Sequence, residues 1–339
     1  MLARLPLAAA EMAAYGPAYG YLNYLIRSPQ PLEAESTWQR VAGDPPAAAN
    51  WIRNAWPPVF LRGALIAAKK RQDHVLGISA HYDVSNDFYE LFLDKKYMFY
   101  SCADFITGRE TLEEAQQNKA DFILRLIDPQ PGEKILELGC GWGPMLKRIY
   151  EATGDKENLC GYTLSKEQVA YNEAHNGFQV EFRNFVTSEF PTEAYDKIYS
   201  IGAWEHVRPQ EVPQLLGKLY RALKPGGRLV QHFFCRLQEA YPPSAVVSQI
   251  FFPGSVNSSL RYQIRACEAA GFRVAHASIH DYRPTLRAWF DNLERNRRRA
   301  LELVDVATFN RYMVFFPASW RYFHEMTGFV VRLRLEKQA

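Results

Sequence analysis

The sequence predicts an α/β fold, with a Rossmann-like parallel sheet and helices on both faces. Three observations carry this expectation. From residue 133 onward, short apolar runs alternate with helix-compatible stretches, the pattern of successive strand–helix units. The run Ile135–Leu138 ends in Gly139-Cys140-Gly141-Trp142-Gly143 and then Pro144, a strand, a glycine-rich turn and a helix start of the kind that builds a nucleotide-type site. Lys224-Pro225-Gly226-Gly227 then makes a tight turn into a late strand.

Taken in order, residues 1–75 are rich in Ala and Pro. Residues 22–26, 51–52 and 60–68 read as pieces of amphipathic helix separated by prolines, and Lys69-Lys70-Arg71 forms a small basic run. The region is expected to be a helical cap, with lipid or partner docking as its functional alternative. Between 76 and 130, aromatics sit among polar groups. Thr111-Leu112-Glu113-Glu114 carries a capping-box signature opening a helix to about Ile127. Strands are expected at Ile135–Leu138, Leu159–Thr163, Gln179–Phe182, 196–201 and 228–232. Helices are expected from Pro144, over 165–174 and over 212–223. Residues 236–260 break the alternation with apolar and aromatic residues, Pro242-Pro243 and Phe252-Pro253-Gly254. A helix over 261–270 and a strand over 272–279 resume the sheet. A long helix over 284–304 carries Arg295 and Arg297-Arg298-Arg299, read as a solvated face or, more sharply, a phospholipid headgroup contact. A helix over 306–326 follows, and 328–335 alternates as a final edge strand. The expected domains are a helical region over 1–75 and an α/β domain over 76–339 with an insertion at about 236–260.

Composition bounds the function. The 339 residues are 47% hydrophobic and 23% charged, a globular balance, and a net charge of +3 gives no nucleic-acid-scale basic surface. Five scattered cysteines lack zinc or CxxC spacing and read as reduced thiols of a cytoplasmic protein. A secretory pattern over residues 1–10 is weak, and no run reaches transmembrane length, so lipid would be met from the surface as a peripheral protein.

Glu137 precedes the glycines and lies within the strand. That order suits a cofactor with an amino group and a ribose but no phosphates, and S-adenosylmethionine (SAM) is the candidate. A buried carboxylate needs partners, which the cofactor amino group or a nearby backbone would supply. The plainer reading keeps the glycines for turning alone.

Further motifs resemble the cyclopropane fatty acid synthase family of SAM-dependent methyltransferases, from about residue 70 to the end. They are His81-Tyr82-Asp83 with Asn86-Asp87-Phe88-Tyr89, Tyr100-Ser101-Cys102, Thr111 to Gln116, the glycine loop, Thr163-Leu164-Ser165 with Gln168, Glu205-His206-Val207, Phe252-Pro253-Gly254, and Thr285 to Trp289. The resemblance implies that Tyr100, Ser101, Glu137, Gly139, Gly141 and Gly143 hold SAM, together with Thr163, Leu164, Gln168 and Trp204. After the third strand, Asn184 or Phe185 stands where the family places an adenine contact.

The resemblance also implies methyl transfer to a cis double bond of an unsaturated phospholipid acyl chain at the membrane surface. The proton left over would go to a bound bicarbonate. Cys102, Glu205 and His232 match three of the family's bicarbonate ligands. Phe234 stands where an Ile contributes its main chain. Phe290 stands where a Tyr is expected and has no hydroxyl to donate; Tyr282 or Tyr312 are substitutes. A cation that does not close to cyclopropane loses a proton elsewhere, giving a methyl- or methylene-branched chain. Aromatic walls would be drawn from Tyr100, Trp204, Phe233, Phe234 and Phe290, each with plain core packing as its alternative, and Phe234, Phe252 and Phe290 are the expected substrate contacts. Two rival functions use the same motifs: N- or C-methylation of a small metabolite, and a non-catalytic SAM-binding partner of another lipid enzyme. A homodimer is an open expectation, its face one of three candidate routes of membrane attachment beside the N-terminal region and the arginine helix.

Overall fold

The computed structural model describes residues 17–44, 85–236, 250–252 and 258–338. The expected helix pieces at 51–52 and 60–68, the basic run at 69–71, His81 to Asp83 and most of the 236–260 insertion lie outside them. The chain divides into two compact units. The first gathers Met1–Phe92, Pro242–Ser255 and Leu286–Thr327, and the second Leu93–Tyr241, Val256–Thr285 and Gly328–Ala339.

The second unit is the α/β body. Among the described residues its sheet has seven strands in the order β3-β2-β1-β4-β5-β7-β6. They are β1 (Ile135–Leu138), β2 (Leu159–Thr163), β3 (Gln179–Phe182), β4 (Tyr195–Ile201), β5 (Leu223–Cys235), β6 (Arg273–His280) and β7 (Phe329–Glu336). The first five pair in parallel, and β7 runs antiparallel to both β5 and β6. Every residue of β1 and β2 is buried, as a strand covered on both faces requires. One face carries Leu136, Ile198, Leu229 and Leu333 against Leu215, Leu216 and Cys267. The other carries Ile135, Tyr199 and Val230 against Ile123, Met145 and Ile149. Helices therefore cover both faces. The order reverses between β1 and β4, and in open α/β sheets ligands bind beyond the carboxyl ends of strands at such a switch point.

Several elements follow the expected pattern. Numbered along the chain after α1 (Pro17–Ile26), α2 (Ala34–Val41) and α3 (Asn86–Glu90) of the first unit, α4 (Leu112–Ile127) starts from a complete capping box. Thr111 Oγ1 accepts from the Glu114 N–H at 3.2 Å, and Glu114 Oε2 accepts from the Thr111 N–H at 2.8 Å. Helix α5 (Pro144–Thr153) has Pro144 in its first turn, where a missing N–H costs nothing.

Three expectations are corrected. The last strand is not an edge: β7 is inserted between β5 and β6, and β6 is the edge. The alternating Arg332 and Arg334 mimic a solvent face, but Arg332 is buried. The helix over 165–174 stops early: α6 (Lys166–Tyr171) passes into a π-helical turn, Asn172–Asn176. The helix over 284–304 is broken at Asn296 into α9 (Arg283–Arg295) and α10 (Arg297–Leu303), after α7 (Val212–Ala222) and α8 (Leu260–Ala269). Asn296 Nδ2 donates to the carbonyls of Asn292 and Leu91, a local competition with helix geometry.

The first unit is helical: α1 (Pro17–Ile26), α2 (Ala34–Val41), α3 (Asn86–Glu90), most of α9, α10 and α11 (Val306–His324). Its core is aromatic, with Phe88, Phe92 and Phe316 around Tyr312, whose hydroxyl bonds that of Tyr89 at 2.8 Å. Buried Asn310 fastens residues 28–32 by donating to the Ser28 and Gln30 carbonyls and accepting from the Leu32 N–H. In the arginine cluster, Arg297 pairs with Glu294, and Arg298 and Arg299 share Glu302, with Arg298 almost fully exposed.

Candidate cofactor and catalytic site

The glycine loop leaves β1 at the switch point. Gly139, Gly141 and Gly143 all have positive φ, at 80°, 56° and 77°. At two of them contact as well as conformation demands glycine. A Cβ on Gly139 would lie 2.3 Å from the Ala203 Cβ, and one on Gly143 would lie 2.2 Å from Asn172 Oδ1. At Gly141 nothing comes nearer than 4.0 Å, so the loop is open where a ligand would approach.

Glu137 is buried on β1 and accepts a hydrogen bond from the Tyr199 hydroxyl at 2.8 Å. Burial raises its carboxyl well above the usual range, against the opposing Tyr199 bond. Beside the loop, Thr163 Oγ1 donates to Gln168 Oε1 at 2.5 Å and accepts from the Ser165 N–H, while Ser165 caps Gln168. Thr163, Leu164 and Gln168 thus sit at the carboxyl end of β2, next to the loop.

The π-helical turn supplies what the sequence reading missed. Asn172 Nδ2 donates to the Gly141 carbonyl at 3.0 Å and to the Gln168 carbonyl at 2.8 Å. Asn176 Nδ2 donates to the Trp142 carbonyl at 2.8 Å and to Asn172 Oδ1 at 3.0 Å. The extra residue of a π turn lets two asparagines clamp the loop from behind. Asn184 Oδ1 closes its own turn on the Val186 N–H, and Phe185 is buried in the sheet core.

Ser101 and Cys102 reach the same edge. A Cβ on Gly202, at the end of β4, would lie 3.3 Å from the Ser101 Cβ and 3.6 Å from the Tyr100 carbonyl oxygen. The Gly202 N–H donates to the His232 carbonyl at 2.8 Å. Cys102 is fully buried, its Sγ 3.4 Å from the Asp281 carbonyl oxygen, and burial pushes the thiol up to about 12. Thr285 Oγ1 accepts from the Ala103 N–H at 2.9 Å, which explains the threonine of the Thr285 to Trp289 motif. Tyr282 follows Asp281 and is half-buried.

Glu205 lies in a single 3-10 turn after β4, Trp204–His206. The residue is half-buried, but its Oε2 is fully covered and has no hydrogen-bond partner among the described residues. Burial pushes the carboxyl up to about 8, so it is protonated at neutral pH. His206 shares the turn. The Trp204 ring is in the sheet core, and its Nε1 donates to Gln263 at 3.1 Å. Phe233 is core as well, and Phe234 pairs with Val330 of β7.

His232 is held by groups that motif reading did not reach. Arg332 Nε donates to His232 Nδ1 at 2.9 Å, and the two terminal nitrogens of Arg332 bind Asp104 at 2.6 and 2.8 Å. His280 bonds the same carboxylate at 3.2 Å. Burial would raise Asp104, but the bonds from His280 and Arg332 outweigh it and hold the carboxyl near about 2. An arginine N–H can only donate, so His232 Nδ1 carries the lone pair and Nε2 the proton. Burial, followed by the charge of Arg332, keeps this imidazole neutral by lowering it well below its usual range. Cys102, Glu205 and His232 are therefore a thiol, a carboxylic acid and a neutral N–H.

Two expected substrate contacts belong to the first unit. Phe290 is buried, its ring 4.9 Å from that of Trp38 with Arg287 over both, and Phe252 packs on Phe315. Tyr312 has its hydroxyl bonded to Tyr89.

A family model described as mycolic acid cyclopropane synthetase matches residues 69–332. Hydroxymycolate synthase MmaA4 of Mycobacterium bovis is 32% identical over 285 residues, 76% of this chain and 91% of that protein. A probable fatty acid methyltransferase of Pseudomonas putida is 31% identical over 274 residues, 74% of this chain and 68% of that protein. The solved structure of mycolic acid cyclopropane synthase CmaA1 complexed with SAH and CTAB is similar with a TM-score of 0.70 at 28% identity, covering 78% of this chain and 99% of that one.

Proposed function

Because the chain belongs to the mycolic acid cyclopropane synthetase family and is a SAM-dependent methyltransferase, we propose that it methylates a double bond in an unsaturated fatty acyl chain of a membrane phospholipid. The observation that carries this reading is the covered, protonated Glu205 carboxyl with an unpartnered Oε2 at the switch-point edge. Amine methylation has no evident use for a buried acid held neutral. Alkene methylation leaves a carbocation that must be kept from water and relieved of a proton.

When bound, SAM supplies an electrophilic methyl on a sulfonium. The residues that would hold it are the glycine loop, Ser101, Thr163, Leu164 and Gln168, and the opening at Gly141 fits such a group. The neutral donors Glu205, His232 and Cys102 also fit an anion, and they would hold bicarbonate, which supplies a mobile base. Around them the protein orients and excludes. Arg332 fixes His232 so that Nε2–H is its remaining donor, while burial keeps the Glu205 and Cys102 protons in place. By the resemblance Phe290 stands where a tyrosine is expected and has no hydroxyl to donate to an anion, which favours methyl- or methylene-branched products beside cyclopropane.

Lipid contact would be peripheral, since no described helix is long and apolar enough to cross a membrane. Five free thiols fit a reducing compartment, and the reading puts the enzyme at the inner face of the membrane. The test is mass spectrometry of phospholipids from a host with monounsaturated chains, with and without the protein. A protein-dependent gain of one methylene unit is expected. Unchanged lipids, with turnover of a soluble amine or aromatic instead, would overturn the proposal.

A further inference from the structure

Lys119 has no exposed surface. Its Nζ donates to Ser101 Oγ at 2.8 Å and lies 3.2 Å from the centre of the Phe99 ring. A hydroxyl and a ring face attract a cation without neutralising it, and a buried charge is costly unless paired. No acid among the described residues forms an ion pair with Lys119. Asp94 uses both carboxylate oxygens on the Tyr97 and Phe99 N–H groups. Asp104 is bound by Arg332 and His280, and Glu137 accepts from the Tyr199 hydroxyl. Arg332 adds positive charge nearby, while Cys102 and His232 are neutral.

We infer that Lys119, acting through the Ser101 hydroxyl, is the buried counter-charge for the carboxylate of the cofactor's amino-acid group. The inference rests on the SAM reading above. With a lone pair of Ser101 Oγ engaged by Lys119, the hydroxyl proton is left to donate to an anion. Ser101 stands beside Gly202 at the switch-point edge, and Gly139 of the loop meets the adjacent Ala203. One helical turn before Lys119, buried Gln116 binds the Ser101 carbonyl through Nε2, while its Oε1 has no partner among the described residues. A cation-backed hydroxyl and an unfilled acceptor, three residues apart on one helix face, match the carboxylate and ammonium of an α-amino acid. Burial, partly offset by Asp94, holds the Lys119 amine well below its usual range, and an arriving carboxylate reverses that effect.

Lys119 is thus a positioning residue, and its test separates the two ends of the ligand. Affinities for S-adenosylhomocysteine and for 5′-methylthioadenosine, which lacks the amino-acid group, are measured by calorimetry on the full chain. Lys119→Met should weaken S-adenosylhomocysteine binding tenfold or more and leave 5′-methylthioadenosine binding within twofold. Ser101→Ala should act in the same direction and serves if the lysine variant does not fold. Equal loss for both nucleosides, or for neither, overturns the inference. A wild-type protein that binds neither overturns the cofactor reading and takes the inference with it.

Discussion

Replacing Glu205 with Gln preserves the shape of the side chain and removes its ability to ionise. In the folded protein the carboxyl is displaced from 4.5 to about 8 by burial. At ~1.4 kcal/mol per unit the displacement corresponds to about 5 kcal/mol as an upper bound. The residue is half-buried, and solvent screening brings the expected effect to about 2–3 kcal/mol. The sign follows from linkage. The folded state keeps a proton that the unfolded chain releases above pH 4.5, so wild-type stability falls as pH rises from about 4.5 to about 8 and is level beyond. Glutamine has no such loss. Thermal unfolding at pH 5 and pH 8.5 should therefore show little difference at the lower pH, and about 4–6 °C in favour of Glu205→Gln at the higher one, at ~2 °C per kcal/mol. The same variant should lose methyl transfer at least a hundredfold while binding S-adenosylhomocysteine within threefold of wild type. A stability difference independent of pH would refute the burial argument, and full activity would remove Glu205 from the mechanism.

Other perturbations probe the groups around it. Arg332→Lys cannot bind Asp104 through two nitrogens and also reach His232 Nδ1; the imidazole should lose its fixed tautomer, with activity down about tenfold, and unchanged ring-nitrogen NMR shifts would count against this. Asn172→Ala removes donors to the Gly141 and Gln168 carbonyls, a loss of ~1–3 kcal/mol that should appear as about tenfold weaker S-adenosylhomocysteine binding by titration; unaltered affinity would show that the π turn does not support the loop. Phe290→Tyr restores a hydroxyl at a buried position and should raise the cyclopropane share of products in gas chromatography–mass spectrometry, whereas an active variant with an unchanged product ratio would dismiss the hydroxyl argument.

Much of the site was legible because it is carried by local signals. The glycine loop after β1 and the Thr111 capping box each need only a few consecutive residues, and both form where expected. Trp204 carried two readings because an aromatic after a strand can turn to a cofactor or to the core; its ring packs in the core and its Nε1 meets Gln263 on α8, which no local signal could give. Lys119 and Arg332 left weaker traces still. Each is one charge in an amphipathic pattern where solvent exposure is the ordinary outcome, yet both are buried.

By itself the sequence determined the strand–helix alternation, the glycine-rich loop and the chemical identity of Cys102, Glu205 and His232. Those depend on backbone freedom and side-chain type within short windows. Only the tertiary structure decided how these groups are charged. Inserting β7 between β5 and β6 puts Arg332 beside His232, and burial keeps Glu205 protonated and raises the Glu137 carboxyl well above its usual range. Proton affinity depends on solvent exclusion and on charges brought from distant parts of the chain, and neither is a property of any segment alone.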